Sequence, residues 1–433
     1  MNHASGAFIL CKLMPPGERL IYSIDRRCDF ICLAHLGTPA AGVKRRGPPG
    51  ALGILFLTAL LTAELASAQI ATPEQAQALE GQGKLPEAAQ AWRSVTEQHP
   101  NDAAAFASLG VVLSKQQKYQ EAAAAYRKAI ELNPELPGIK LNLGLAEFKQ
   151  GEFRAAISSF RAVLAENPNN SQAETLLGLS CYGAKQFEDA AKYLKPAAAS
   201  NPENAELRGV LAQSCLWAKD YACAQEQFGR ILQADPESAS AHILSGEALD
   251  GLGKTSEAID EFRAAAKIAP REPGVHFGIG FLYWKLHQFD EAQKEFEAEL
   301  ANDPNQAQAL AYLGDIEWKN NHPEKALELL HRAVKINKDI RLAYVDLGVV
   351  YTEQKRYDEA VAALQRAVEL DPAQADAHYR LSRLYQTLGN TAAAKKELEK
   401  VSELHGKADE GLVGKMATAP PALEKPAGGP PPQ

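Results

Sequence analysis

Three histidines, His242, His276 and His378, stand at multiples of 34 residues from one another. Imidazoles in register are what a zinc site would use, with ring nitrogens about 2.1 Å from one ion. If 34 residues is also the structural repeat, however, equivalent rings lie roughly 10 Å apart, the spacing of packed helices, and do not converge. Packing is therefore the expected role of these rings, and no metal is expected. Cys181 and Cys215 share the same spacing and meet the same objection as a disulfide. Cys215 and Cys223 do not: they flank one turn and can face each other, either as a disulfide in an oxidising compartment or as two buried thiols. Catalytic signatures are missing. The chain has no G-x-G-x-x-G after a strand pattern, no phosphate loop, no H-E-x-x-H and no G-x-S-x-G, so neither an enzyme nor a cofactor is expected.

The elements that carry these residues follow from composition. The 433 residues hold 46 basic and 54 acidic side chains, a net charge of −8, which argues against nucleic acid as a partner. Hydrophobic residues make up 46% and aromatics 7%; much of the apolar share is alanine, which favours helix over strand.

The N-terminal part stands outside this pattern. Residues 51–61 (ALGILFLTALL) follow Lys44, Arg45 and Arg46, and Ala66-Ser67-Ala68 precedes Gln69. A charged segment, an apolar run and a small-x-small site make 44–68 a signal peptide cut between Ala68 and Gln69. Eleven helical residues span about 16 Å, half a bilayer core, so an uncut short anchor is the lesser alternative and no integral span is expected in the mature form. Residues 1–43 read as a leader or a mis-assigned start. They hold Cys11, Cys28 and Cys32, of which Cys28 and Cys32 share a helix-face spacing but have no fold around them to build a metal site. Without a cysteine at the cleavage point, the expected form is not a lipoprotein but a periplasmic or extracellular chain.

From 69 onward one period organises everything. Pro100, Pro134, Pro168, Pro202, Pro236, Pro270, Pro304 and Pro372 are separated by 34 residues or a multiple of it. Units starting at 69, 103, 137, 171, 205, 239, 273, 307, 341 and 375 place alanine at the twentieth position ten times out of ten, from Ala88 to Ala394. Even at one alanine in five residues, chance would give that column roughly once in ten million, so the repeat is real. The eighth position is Gly, Ala or Ser, and the twenty-fourth is always large, from Trp92 through Phe160 and Phe296 to Leu398. Small residues let two helices approach, and the large residue fills the space between hairpins. The aligned proline stops the second helix.

Leu109-Gly110, Tyr119, Ala122, Tyr126, Ala129 and Pro134 together resemble the tetratricopeptide repeat (TPR), and the resemblance covers 69–406. It implies an all-α protein, an α-α superhelical solenoid of about ten TPR hairpins, of the exported bacterial type. Departures include Glu299, where a small residue is usual, and Pro196 inside a second helix, which should kink or shorten it. Residues 407–433, rich in Pro and Gly, read as a disordered tail.

The resemblance also implies that first helices line a concave groove. Their outward positions carry Leu141, Leu145 and Phe148, then Leu179 and Tyr182, then Leu216 and Trp217. Phe277, Phe281 and Trp284 follow, then Tyr312 and Trp318. Glu206, Glu247, Asp250, Asp315, Asp346, Glu353 and Asp376 share that face and are expected to set its charge preference. An apolar stripe of this extent marks an interaction site. The family's carboxylate clamp is not assembled, since Asn142, Lys149 and Lys115 are scattered and Arg380 and Arg383 lie at the far end. The expected function is a non-catalytic scaffold for extended peptide segments or partner proteins. A carbohydrate-binding envelope module, stacking sugars on the same aromatics, is the alternative.

Overall fold

The period of 34 residues is a period of backbone conformation before it is one of packing. The fifteenth position of every unit has positive φ: Gly83, Gly151, Gly253 and Gly389, and in the other six units Gln117, Lys185, Lys219, His287, Asn321 and Lys355. That residue ends the first helix in a Schellman turn. In the unit starting at 171, Gln186 N–H donates to Cys181 O (2.8 Å) and Lys185 N–H to Tyr182 O (3.0 Å), which satisfies carbonyls the helix leaves free. Several first helices begin at side-chain caps: Asn170 accepts from Ala173 N–H and Asn204 from Leu207 N–H, both at 2.9 Å. Second helices end at an extended residue such as Asn133, with φ −145°, because the following proline disfavours the α region.

The computed structural model describes residues 71–418, and these fall into two compact units divided at Lys254 and Thr255. The first holds α1 (Pro73–Gly81), α2 (Leu85–Gln98), α3 (Ala103–Lys115), α4 (Tyr119–Leu132), α5 (Ile139–Lys149) and α6 (Phe153–Glu166). It continues with α7 (Ser171–Gly183), α8 (Phe187–Ser200), α9 (Ala205–Trp217), α10 (Tyr221–Ala234) and α11 (Ala239–Gly251). The second holds α12 (Thr255–Ile268), α13 (Val275–Lys285), α14 (Phe289–Asn302), α15 (Ala307–Lys319) and α16 (Pro323–Ile336). After these come α17 (Arg341–Glu353), α18 (Tyr357–Leu370), α19 (Ala375–Thr387) and α20 (Thr391–Thr418). Among the described residues there is no strand, and no helix is long and apolar enough to cross a membrane. The leader, the signal segment and its Ala68–Gln69 site lie outside the described residues.

One contact recurs along both units. A Cβ on Gly144 would stand 2.6 Å from the Phe160 ring, and one on Gly280 would stand 2.8 Å from the Phe296 ring. Only a glycine lets α5 meet α6, and α13 meet α14, so closely. The alanine column beside it is fully buried nearly throughout. Within each unit, first helices also touch the first helices of neighbouring hairpins (α5 with α7, α7 with α9, α15 with α17), whereas second helices make no comparable contacts with each other. Each unit therefore curves with its first helices on the inside.

Three local expectations change, and the first helix starts late. α1 starts at Pro73, four residues into its unit, because Thr72 and Gln75 form a capping box there. Pro196 does not shorten α8, which has the same 14 residues as α6 and α10. Glu299 is buried as a helix cap: it accepts from Gly274 N–H (2.9 Å) and Phe277 N–H (3.1 Å) at the start of α13, whose own N-cap is a glycine without a side chain. Residues 407–418, expected to be part of a disordered tail, continue α20, which runs past Gly406 to Thr418; they hold Ala, Lys, Glu, Leu and Met, which sustain a helix, and the rest of the expected tail lies outside the described residues. Leu398, in the large-residue column, is 46% exposed; among the described residues no hairpin follows to cover it.

Gly144→Val should destabilise the protein by about 2 kcal/mol or more through overpacking. Lys185→Gly, at a left-handed turn position, should stabilise it by up to about 1 kcal/mol. Urea unfolding of the two variants measures both, and a neutral Gly144→Val would contradict the close-approach account.

Candidate ligand groove

The inner face of the first unit is built on α5, α7 and α9. Leu141, Leu145, Phe148, Leu179 and Trp217 are half-buried and pack on a core that includes Tyr182, Leu211 and Leu216. Tyr182 stacks on Trp217 with centroids 5.7 Å apart and planes at 21°. Phe187, the first residue of α8, closes on the same indole at 4.8 Å. The Tyr182 hydroxyl donates to Gln213 Oε1 at 2.5 Å, and burial pushes the phenol up to about 12. Tyr182 and Leu216, expected to be exposed, are thus buried. Neighbouring first helices crowd together on the inside of the curve and take these side chains into the core.

The inner face of the second unit is an aromatic cluster centred on Tyr312. Its ring lies 5.8 Å from Phe277, 5.6 Å from Phe281, 5.0 Å from Trp284 and 5.5 Å from Phe296. Phe277 is 1% exposed and Tyr312 8%, so these two also belong to the core. Phe281, Trp284 and Trp318 remain half-buried and form the accessible part. Trp284 Nε1–H donates to Asp315 Oδ2 at 2.6 Å, and Lys319 pairs with the other oxygen of that carboxylate. The Lys319 ammonium also lies 5.5–5.7 Å from the rings of Trp284, Phe289 and Trp318. Trp318 Nε1–H donates to Glu353 Oε2 at 3.0 Å.

The acids do not form the exposed set the sequence suggests. Asp315 is buried and doubly engaged, so it holds the cluster together instead of tuning a surface. Asp376 pairs with Arg341. Glu206 and Asp250 are partly buried. Glu247 and Asp346 are the two that keep a buried oxygen without a hydrogen-bond partner. Burial pushes the Glu247 carboxyl up to about 7. Burial and then the charge of Asp315 hold Asp346 well above the usual carboxylate range. Lys319, Gln213 and Phe187 are parts of the two faces that sequence reasoning missed. The Asp315–Lys319 pair was visible as an i,i+4 spacing.

The histidines do not converge. His276 Nδ1 meets Glu295 (2.7 Å), and His378 meets Glu397 through Nδ1 (2.5 Å) and Pro372 O through Nε2 (3.2 Å). His242 Nε2 meets Pro236 O at 3.0 Å. His276 is engaged within its own repeat, whereas His242 and His378 also reach the proline carbonyl near the end of the preceding one. Cys215 and Cys223 form a disulfide with Cα atoms 5.7 Å apart, joining the end of α9 to the start of α10. Cys181 is free and buried. Among the described residues, one group of three metal-type donors occurs, Cys215, Asp220 and Cys223, and the disulfide takes both of its sulfurs.

Profiles described as tetratricopeptide repeat match residues 74–137, 141–205 and 278–339, then 182–248, then 239–272 and 375–405; one described as TPR repeat matches 348–389. The chain belongs to the tetratricopeptide repeat family. That membership makes this TPR protein a protein–protein interaction scaffold. No curated protein matches it. Solved structures similar to it include YrrB, described as a TPR protein with an unusual peptide-binding site, at 24% identity over 45% of this chain and 100% of that one, TM-score 0.35. The Cut9–Hcn1 complex is 13% identical over 76% and 86%, TM-score 0.46, and yeast Tom70 is 15% identical over 81% and 96%, TM-score 0.39.

The raised Glu247 carboxyl makes a pH prediction. The unfolded chain releases this proton near 4.5 and the folded chain only near 7. The contribution of Glu247 to stability is therefore fully present below the lower value and is lost as pH rises through that window, by up to roughly 3 kcal/mol. Glu247→Gln should flatten that fall, as measured by urea midpoints across the window; an unchanged slope would show that Glu247 is not the group responsible.

Proposed function

We propose that this TPR scaffold is non-catalytic and holds extended peptide segments of a partner against its first-helix faces. The observation that carries the reading is the row of large side chains left half-buried after the packing columns are filled. These are Leu145, Phe148 and Trp217 in the first unit and Phe281, Trp284 and Trp318 in the second. Apolar surface left open on these faces favours a bound partner. A sugar site would require polar groups beside the rings that are free to bond hydroxyls. Here the indole N–H groups of Trp284 and Trp318 are committed to Asp315 and Glu353, and Leu141, Leu145 and Leu179 share the first unit's face with Trp217, so peptide is favoured over carbohydrate.

Random dodecapeptides displayed on phage and selected on the mature chain supply a probe. Trp217→Ala and Trp318→Ala should each weaken selected peptides by about 2 kcal/mol, roughly thirtyfold. Glu226→Ala, on the exposed side of α10, should leave them unchanged. The reverse pattern would rule out the groove.

Export belongs to the same proposal. The 44–68 segment supports it, and the Cys215–Cys223 disulfide suits an oxidising compartment. N-terminal sequencing of the protein from culture fractions should find Gln69 first; an intact Lys44–Arg46 segment would contradict export by this signal.

A further inference from the structure

The most poorly satisfied polar group on the inner face of the second unit is Asp346, on α17. It is 4% exposed and its Oδ2 meets no donor. On the preceding first helix stands Asp315, 2% exposed, whose charge acts on Asp346. Two buried carboxylates that act on one another disfavour each other's ionisation, and a cation between them relieves this. Lys319 only half answers this need, since its ammonium pairs with Asp315. The other charged groups acting on Asp346 are Arg380 and Asp376, both on α19, and neither gives Oδ2 a hydrogen bond.

The surroundings show which ligand chemistry fits. Lys319 already rests its ammonium near the rings of Trp284, Phe289 and Trp318 while touching a carboxylate. Aromatic faces together with an acid select cations, and this face does so with the protein's own lysine. Lys319 is partly exposed on a flexible stem, so it can move aside.

We propose that Asp346 and Asp315 receive a basic side chain, lysine or arginine, from the segment held in the groove of the second unit. The proposal deepens the peptide-groove reading and rests on it. A guanidinium supplies donors enough for Asp346 Oδ2 and for Asp315, and an ammonium can take over the partner that Lys319 gives Asp315. Burial and the charge of Asp315 favour the protonated form of Asp346 in the empty groove, and a cation arriving there favours its release. Below the pH at which the free acid ionises, binding therefore tightens as pH rises.

The test uses the dodecapeptides selected on the mature wild-type chain. Those weakened by Trp318→Ala should carry Lys or Arg near an aromatic or leucine. Exchanging that basic residue for norleucine should weaken binding by about tenfold or more on the wild type and have no effect on Asp346→Asn. Asparagine keeps the size and neutrality of the protonated acid; circular dichroism checks its fold. Calorimetry of the wild type in two buffers of different ionisation enthalpy gives a reading that needs no variant: the basic peptide should release up to about one proton and its norleucine twin none. If the twins bind alike, or selected peptides lack basic residues, the cation site is wrong while the groove stands. If no selected peptide responds to Trp217→Ala or Trp318→Ala, the groove reading fails and this proposal fails with it.

Discussion

A large side chain pressed against a glycine or alanine is the contact on which the rest of this protein depends. The eighth and twentieth positions are small so that the two helices of a hairpin can approach, and the twenty-fourth fills the space their approach leaves. Each buried ring or branched chain there contributes about 2–3 kcal/mol of burial. The larger effect is geometric. Close approach fixes the rotation of every first helix, and that rotation decides which residues face the inside of the curve. The groove is thus a by-product of the core.

The same crowding makes the groove a mixture of core and surface. Phe277 and Tyr312 are nearly as buried as any core residue, while Phe281, Trp284 and Trp318 in the same cluster keep an open side. Rings locked by neighbours lose little freedom on binding, which favours them as anchors. The acids are built in equally firmly. Asp315 is held by an indole and a lysine, so its removal would unsettle Trp284 and Lys319 as well as any ligand. Charge on this face is a matter of a few buried groups, not of a diffuse acidic coat.

Much of this was readable from the sequence because it repeats. The period, the small and large columns and the spacing of Cys215 and Cys223 follow from local rules applied at every unit. Exposure was not readable to the same degree. Tyr182, Leu216, Phe277, Tyr312, Asp315 and Asp346 occupy outward positions on their own helices, but how far they are covered depends on the distance between neighbouring first helices, which no single unit encodes. Glu299 looked like a defect in its column because its partners, the N–H groups of Gly274 and Phe277, belong to the other helix of the hairpin. The reach of α20 to Thr418 was hidden by glycines that punctuate an otherwise helix-favouring stretch.

If the recurring contact carries the fold, stability is a sum over hairpins and their neighbours, and whole hairpins are the units of removal. The decisive measurement compares deletion of residues 103–136, one complete repeat, with deletion of 120–136, half of one, by circular dichroism and urea unfolding. The account predicts that the whole-repeat deletion keeps a cooperative transition and a helical signal reduced in proportion to its length. The half-repeat deletion should disrupt both, because it throws every following column out of register with its neighbour. Equal tolerance of the two deletions would contradict the account.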